Sequence, residues 1–397
     1  MTRQLHRSPP FRAEHIGSLL RPESLLQKNR NQLDPLKLTE TENQAIDDIV
    51  KLQLDCGFRG INDGEFRRHV FWGTLFQSFE GMESLTAPDP DMFRSFVAGF
   101  VKAAGKVQPG MFMICRGKIR HPGYSTYVKE IQYLQQILPR ERWGDIKLTL
   151  PAPNWYHLRY REGYAYPKDV YRDDNEYFHD IAAAYRAELD LLYQAGLRNV
   201  QFDDPNLTFF CSEQMLKDWE DDKANVRTPD ELFRVYIRLY NDILASRPAD
   251  LHVGIHLCRG NFRDATRKGG YERIAKTLFQ ELDVDTYYLE YDDRSRTGGF
   301  TPLRYLPKTK NVILGVITSK SAELEDKEEV KRRVLEAAET IAEGNAESKE
   351  DALKRIGVSP QCGFASIAEG RNMEYDDMVN KLKLVRQVAD DLWPGEP

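Results

Sequence analysis

The chain has 397 residues, 41% of them hydrophobic and 30% charged, with a formal net charge of −6, the composition of a soluble globular protein with ample core. The acidic balance leaves no electrostatic footprint for nucleic acid or an anionic membrane, no apolar run approaches the ~20 residues of a membrane span, and the polar first ten residues lack a signal-peptide core. Five cysteines, an odd number at irregular spacing, exclude a disulfide framework and point to the reducing cytoplasm.

In chain order, residues 11–18 read as a short strand ending in the turn Gly17-Ser18, and Arg21-Pro22-Glu23 opens a charged helical stretch. Ala45, Ile46, Ile49, Val50 and Leu52 recur at helical spacing over 42–55, and Cys56-Gly57 ends that helix. A second strand, 58–62, runs into Asp63-Gly64-Glu65. Residues 66–146 are irregular and rich in aromatics (Phe71, Trp72, Phe76, Phe79, Phe93, Phe96, Phe100), with a strand pair expected around 107–118. They read as an insertion able to cover a site.

The third strand, 147–150, is broken by Pro151 and Pro153. An amphipathic helix over 177–195 precedes the fourth strand, 199–205, which ends in Asp203-Asp204-Pro205. Thr228-Pro229-Asp230-Glu231 is a capping box with proline at the first helical position, opening a helix to about 245. The fifth strand, from Leu251, closes on His256-Leu257-Cys258. A helix over 271–282, a sixth strand 286–290, a seventh 311–317, a helix over 327–343, a short eighth strand 356–360 and a last helix over 375–392 complete the chain.

Eight short apolar strands, mostly separated by helices, are the pattern of an α/β (β/α)8 TIM barrel, a fold that routinely exceeds about 250 residues as one unit. The expectation is therefore a single domain, 1–397, with the insertion 66–146 after the second strand. A doubly wound open sheet is the rival, but it does not require an acid or metal-type residue after nearly every strand. Here Ser18, Glu65, Asp203, His256, Cys258, Glu290 and Cys362 all stand at or just past strand ends, and a barrel brings those ends onto one face.

Residues two apart on a strand project to the same side, so His256 and Cys258 present an imidazole and a sulfur together. Adding Glu290 and Cys362 gives an N/S/O/S donor set that favours Zn2+ over harder cations. Structural zinc sites use closely spaced cysteine pairs on loops. Donors spread over about a hundred residues at strand ends read as a catalytic site, with the carboxylate able to yield its place to substrate.

On these residues the chain resembles the C-terminal catalytic barrel of cobalamin-independent methionine synthase. The similar stretches are His15-Ile16-Gly17-Ser18, Asp63-Gly64-Glu65-Phe66, Gln201-Phe202-Asp203-Asp204-Pro205, His256-Leu257-Cys258, Leu289-Glu290 and Pro360-Gln361-Cys362-Gly363, in family order along nearly the whole chain. The resemblance implies that His256, Cys258, Glu290 and Cys362 bind zinc. It implies that the backbone of Ile16 to Ser18 holds the carboxylate of homocysteine, with Glu65 and Asp203 on its ammonium. Two carboxylates beside a metal-thiolate site suit a zwitterionic thiol.

Two departures are visible. The N-terminal barrel of the classical enzyme has no expected counterpart. The family's seventh-strand motif Asp-Ile-His-Ser-Pro, whose histidine moves a proton, appears as Thr318-Ser319-Lys320-Ser321-Ala322. Lys320 is the candidate catalytic residue, bringing a positive charge where the family has an imidazole. Trp155, after the third strand, either stacks on a flat ring of a donor or packs under the insertion. The sequence thus points to a zinc-dependent enzyme that transfers a methyl or other alkyl group to a small-molecule thiol. An epoxide-opening coenzyme-M-type transferase and a zinc-holding protein without turnover are the alternatives.

Overall fold

The computed structural model describes residues 10–97, 101, 107, 110–260, 269–365 and 373–397. Phe100 and part of the strand pair expected at 107–118 fall outside these residues. Two strands, β1 (Glu80–Ser84) and β2 (Met113–Arg120), form an antiparallel hairpin within the insertion. Six more form one parallel sheet in sequence order: β3 (Lys147–Pro151), β4 (Asn199–Asp203), β5 (His252–Leu257), β6 (Thr286–Glu290), β7 (Asn311–Ile317) and β8 (Ile356–Pro360). Every residue of these six is buried, as expected of parallel strands covered on both faces.

The first two expected strands shorten to single bridges. Ala13 pairs with Val358 of β8, and Ile61 pairs with Ile146 at the start of β3, both parallel. They flank the six-stranded sheet in the positions of barrel strands one and two. No ladder joins them. Leu19 N donates to Gly64 O (3.2 Å), and side chains do the rest: His15 Nε2 donates to Gly60 O (3.1 Å) and Asn62 Nδ2 to Gly17 O (3.0 Å). The Lys147 ammonium takes the His15 carbonyl. Backbone groups satisfied by side chains are not available to a strand ladder, which is why the sequence's two full strands are not seen.

The helices follow their sequence signals, with one large boundary difference. The first long helix spans Pro35–Asp55, capped by Asp34 on Leu36 N and Lys37 N, seven residues before the apolar periodicity begins. Its first turns face solvent, with Leu36 80% exposed, so no apolar stripe marked them. The capping box at Thr228 and Glu231 forms as expected and opens Pro229–Leu244. In the insertion, β2 pairs with β1, some thirty residues earlier, rather than within 107–118. Such a partner is invisible to local patterning. The insertion packs on the loop after β3: Trp72 stacks on Trp155, and Tyr156 donates to Gly110 O (2.8 Å). Among the described residues, no helix is long and apolar enough to cross a membrane.

Candidate active site

β5 delivers His256 and, one residue past its end, Cys258. β6 ends on Glu290, and Cys362 lies two residues beyond β8. The ladders pair Asp203 with His256 and His256 with Tyr288, which sets these strand ends level with one another. One donor atom from each of His256, Cys258, Glu290 and Cys362 lies within 4.8 Å of the others. The two sulfurs are 3.5 Å apart. Two sulfurs on one tetrahedral zinc, each at ~2.3 Å, stand roughly 3.8 Å from each other.

The imidazole is already set for a metal. His256 Nδ1 donates to Tyr288 O (3.2 Å), and Nε2 is buried without a hydrogen-bond partner; against the opposing effect of burial, the Cys258 sulfur and the Asp203 and Glu290 carboxylates hold the ring's pKa above its ordinary value. A buried, orphaned ring nitrogen facing two sulfurs and a carboxylate is costly unless something occupies it. The residues present therefore fit a thiophilic divalent cation.

The electrostatics agree. The Cys258 thiol is held well below its ordinary range by the Cys362 sulfur and the His256 imidazole, while Cys362 is pushed up by Cys258 and by burial. Burial and the Cys258 charge push Glu290 up to about 7, against the opposing pull of Lys320 and Arg296. Its Oε1 accepts from Arg259 N (2.8 Å) and its Oε2 from Arg296 Nη1 (2.6 Å). Lys320 Nζ stands 3.8 Å from Oε2, with no hydrogen-bond partner of its own.

Beside this cluster are the residues assigned to the amino-acid end of a thiol. Gly64 and Glu65 both take the left-handed conformation (φ +67° and +62°), unusual for a glutamate and held by Asp63 Oδ1 accepting from Glu65 N (2.8 Å). The turn sends the Glu65 carboxylate inward, where Oε1 accepts from Thr149 Oγ1 (2.7 Å). It lies so close to Gly17 that a Cβ there would sit 2.5 Å from Oε1. Asp203 accepts from Gln201 Nε2 (2.7 Å), which also donates to Ile16 O (2.8 Å). Burial, with the Glu65 charge nearby, pushes Asp203 up to about 7 despite His256. Ser18 packs against the Cys362 loop: its Oγ accepts from Ala365 N (3.3 Å) and its carbonyl from Phe364 N (2.8 Å).

Trp155 is 2% exposed. Its ring stacks on Trp72 (centroids 4.9 Å, 21°), meets Phe71 edge-on (5.2 Å), and carries the Arg159 guanidinium 3.8 Å from its centroid. A cleft of about 710 Å³ opens between the insertion and the segment after β4, lined by Asp91, Arg94, Phe96, Asp218, Trp219 and Asp222. Phe96 meets Phe209 at 4.0 Å between ring centroids, and the neighbouring Thr208 hydroxyl donates to Cys258 O (2.8 Å); none of the strand-end residues lines this cleft.

Sequence reading overlooked several residues. Gln201 lies two before Asp203 on one strand, so period two could have placed it on the same face. Thr149 sits inside β3 and could have been flagged the same way. Arg68 carried no local signal: it donates to Thr149 Oγ1 (2.7 Å) and lies 3.9 Å from Glu65 Oε1. Nor did Arg296, whose partner is set by the turn after β6.

A parallel α/β barrel brings a histidine, two cysteines and a glutamate together at its strand ends, the donor set of a candidate metal site. The chain belongs to the family described as cobalamin-independent synthase, catalytic domain, whose family model matches residues 163–391. It is 36% identical over 400 residues to the uncharacterized protein YxjG of Bacillus subtilis (strain 168), covering 98% of this chain and 96% of that one. A methionine synthase of Pyrococcus horikoshii is 22% identical over 226 residues, 56% of this chain and 53% of the relative. A solved structure from Listeria monocytogenes, described as a vitamin-B12-independent methionine synthase, shares the fold with a TM-score of 0.71 at 26% identity, covering 96% of this chain and 98% of that one. A B12-independent methionine synthase from Shewanella sp. W3-18-1, solved with selenomethionine, shares the fold with a TM-score of 0.66 at 18% identity, covering 96% and 97% of the two chains. This chain is a methionine-synthase-like catalytic domain of a methyltransferase family.

Proposed function

We propose that the protein is a zinc-dependent thiol alkyltransferase that methylates homocysteine or a similar amino-acid thiol. The observation that carries this reading is the orphaned His256 Nε2 among Cys258, Glu290 and Cys362, with the buried carboxylates of Glu65 and Asp203 alongside. Zinc held by His256, Cys258, Glu290 and Cys362 would lower the acceptor thiol's pKa and keep it nucleophilic at neutral pH.

The chain's own residues do the rest. Glu65 and Asp203 accept the ammonium N–H groups, and the backbone of Ile16 to Ser18 takes the carboxylate, fixing the thiol's orientation. As the sulfur–carbon bond forms, the carbon–donor bond breaks and its electron pair leaves with the donor. Lys320 supplies a fixed positive charge beside the site, suited to an anionic leaving group. Trp155 and the 66–146 insertion that packs on it shield the mouth from water. All five cysteines are free thiols, which supports a reducing cytoplasmic setting.

The donor is one other than a polyglutamylated methylfolate. This rests on Lys320, which stands where the family has its proton-moving histidine. The test is an assay of the zinc-loaded protein with homocysteine against methylfolate, S-adenosylmethionine and methylcobalamin, read by mass spectrometry. S-methylated homocysteine should form with at least one donor, and polyglutamylated methylfolate should be the poorest. Efficient turnover with methylfolate alone, undiminished in Lys320→Met, would overturn the donor assignment. Thiol binding without alkylation by any donor would make this a zinc-holding binding protein. Equal binding of homocysteine and an amine-free thiol would favour a coenzyme-M-type acceptor.

A further inference from the structure

Glu65, proposed above for the ligand's ammonium, is backed by a chain of buried polar side chains from three separate segments. Its Oε1 accepts from the Thr149 hydroxyl inside β3 (2.7 Å), and that hydroxyl oxygen accepts from Arg68 Nη1 (2.7 Å). Arg68 Nη1 also donates to Thr149 O (2.9 Å), and Nη2 donates to Glu130 Oε2 (3.0 Å) on the helix Val128–Ile137 of the insertion. The guanidinium lies over the Tyr127 ring, 4.7 Å from its centroid, and Glu65, Arg68, Glu130 and Thr149 are all buried.

The local chain places Arg68 here. The turn after Glu65 closes with Arg68 N donating to Glu65 O (3.1 Å). Arg21 Nη2 clamps that turn by donating to Glu65 O (2.8 Å) and Arg68 O (3.1 Å). An arginine only donates, so a lone pair of Thr149 Oγ1 faces Arg68 and the single hydroxyl hydrogen turns to Glu65 Oε1. The hydroxyl also works as a spacer. Arg68 Nη1 stands 3.9 Å from Oε1, in ion-pair range but beyond a hydrogen bond.

We propose that Arg68 is a positioning residue for substrate binding: acting through the Thr149 hydroxyl, it presents Glu65 as a hydrogen-bond acceptor for the ammonium of an amino-acid thiol. This rests on the zinc-thiol reading above, in which Glu65 meets that ammonium. Thr149 commits Oε1, which leaves Oε2 to the ligand's N–H groups. Without the hydroxyl, the carboxylate closes directly on the guanidinium as a shorter charged pair and withdraws from the ligand. Packing alone does not ask for a hydroxyl at position 149, since valine fills the same space.

The experiment uses the full zinc-loaded chain and calorimetry with two thiols, homocysteine and 4-mercaptobutanoate, which lacks the amine. Thr149→Val should weaken homocysteine binding about tenfold while changing 4-mercaptobutanoate binding by less than about twofold. Thr149→Ser, which keeps the hydroxyl, should restore homocysteine affinity to within about threefold of the parent. Arg68→Gln should show the same selective loss, and combining it with Thr149→Val should add little, because both act on Glu65 through one chain. In a Glu65→Gln background, Thr149→Val should have no further effect, and zinc content should stay the same throughout. Thr149→Val keeps every charge in place and carries the test alone if Arg68→Gln does not fold. Equal weakening of both thiols, unchanged homocysteine affinity in Thr149→Val, or no recovery in Thr149→Ser overturns the assignment. A parent that prefers homocysteine, with Thr149→Val keeping that preference, overturns the assignment alone. If the unmodified protein binds the two thiols equally, or binds neither, the amino-acid-thiol reading fails and the assignment falls with it.

Discussion

The two halves of the strand-end face are built by different means. On one side, β4, β5 and β6 are joined by regular ladders, and His256 and Glu290 stand on them at fixed register. On the other, Ser18 and Glu65 ride on segments that touch the sheet at single bridges and are stitched together by His15, Asn62 and Lys147. A ladder holds donor atoms to the tolerance that metal binding needs. Bridged segments reach comparable order only through packed polar side chains, which is why Glu65 needs a left-handed backbone, Thr149 and a glycine at 17. The candidate metal half is ordered by strand register, and the half that carries Ser18 and Glu65 by side-chain hydrogen bonds.

The largest effect should come from breaking the metal half. Protein purified without chelator should carry about one zinc per chain. Cys258→Ser or Cys362→Ser should weaken metal binding by at least about 100-fold, read by elemental analysis and chelator competition. The barrel should still melt cooperatively within a few degrees of the parent, because a catalytic metal does not hold a core of this size together. Full zinc in both variants would show that these sulfurs are not ligands.

The two carboxylates proposed for the ammonium, Glu65 on a bridged segment and Asp203 at the end of β4, are tested by removing charge without changing shape. Glu65→Gln and Asp203→Asn should each weaken homocysteine binding by roughly 1.5–3 kcal/mol and leave an amine-free thiol unaffected. Gly17→Ala probes the same carboxylate from the backbone side. Its Cβ cannot coexist with Glu65 Oε1 at 2.5 Å, so it should mimic Glu65→Gln while metal content stays intact. Isothermal calorimetry reads both. Loss of zinc in these variants would mean that the halves are coupled rather than separately built.

A smaller effect separates the halves by pH. His15, whose Nε2 stitches the first two segments, is held down to about 3 by burial and by the Lys147 charge. The folded state therefore refuses the proton that the unfolded chain accepts near pH 6.5. Its contribution is complete above that value and falls by about 1.4 kcal/mol for each pH unit as pH drops toward 3. Urea unfolding at pH 7.5 and 5.5 should show this loss in the parent and a flatter profile in His15→Gln. Identical pH slopes would remove His15 from the account.

Much of this was legible in the residues. His256 and Cys258 share a strand face by period two, Glu290 and Cys362 follow apolar runs at strand ends, and the capping box at Thr228 starts a helix where it should. These signals are local, carried by a few consecutive side chains and the geometry of one strand or one helix turn. What only the tertiary structure decided involves partners distant in sequence or set by a turn: β1 as the mate of β2, Arg68 behind Thr149, and Arg296 on Glu290. The same holds for the first two strands. Their apolar pattern predicted ladders, yet whether a backbone N–H meets a neighbouring strand or a side chain such as Asn62 depends on which atoms folding brings within reach. Periodicity records which face a residue shows, and only packing determines what that face meets.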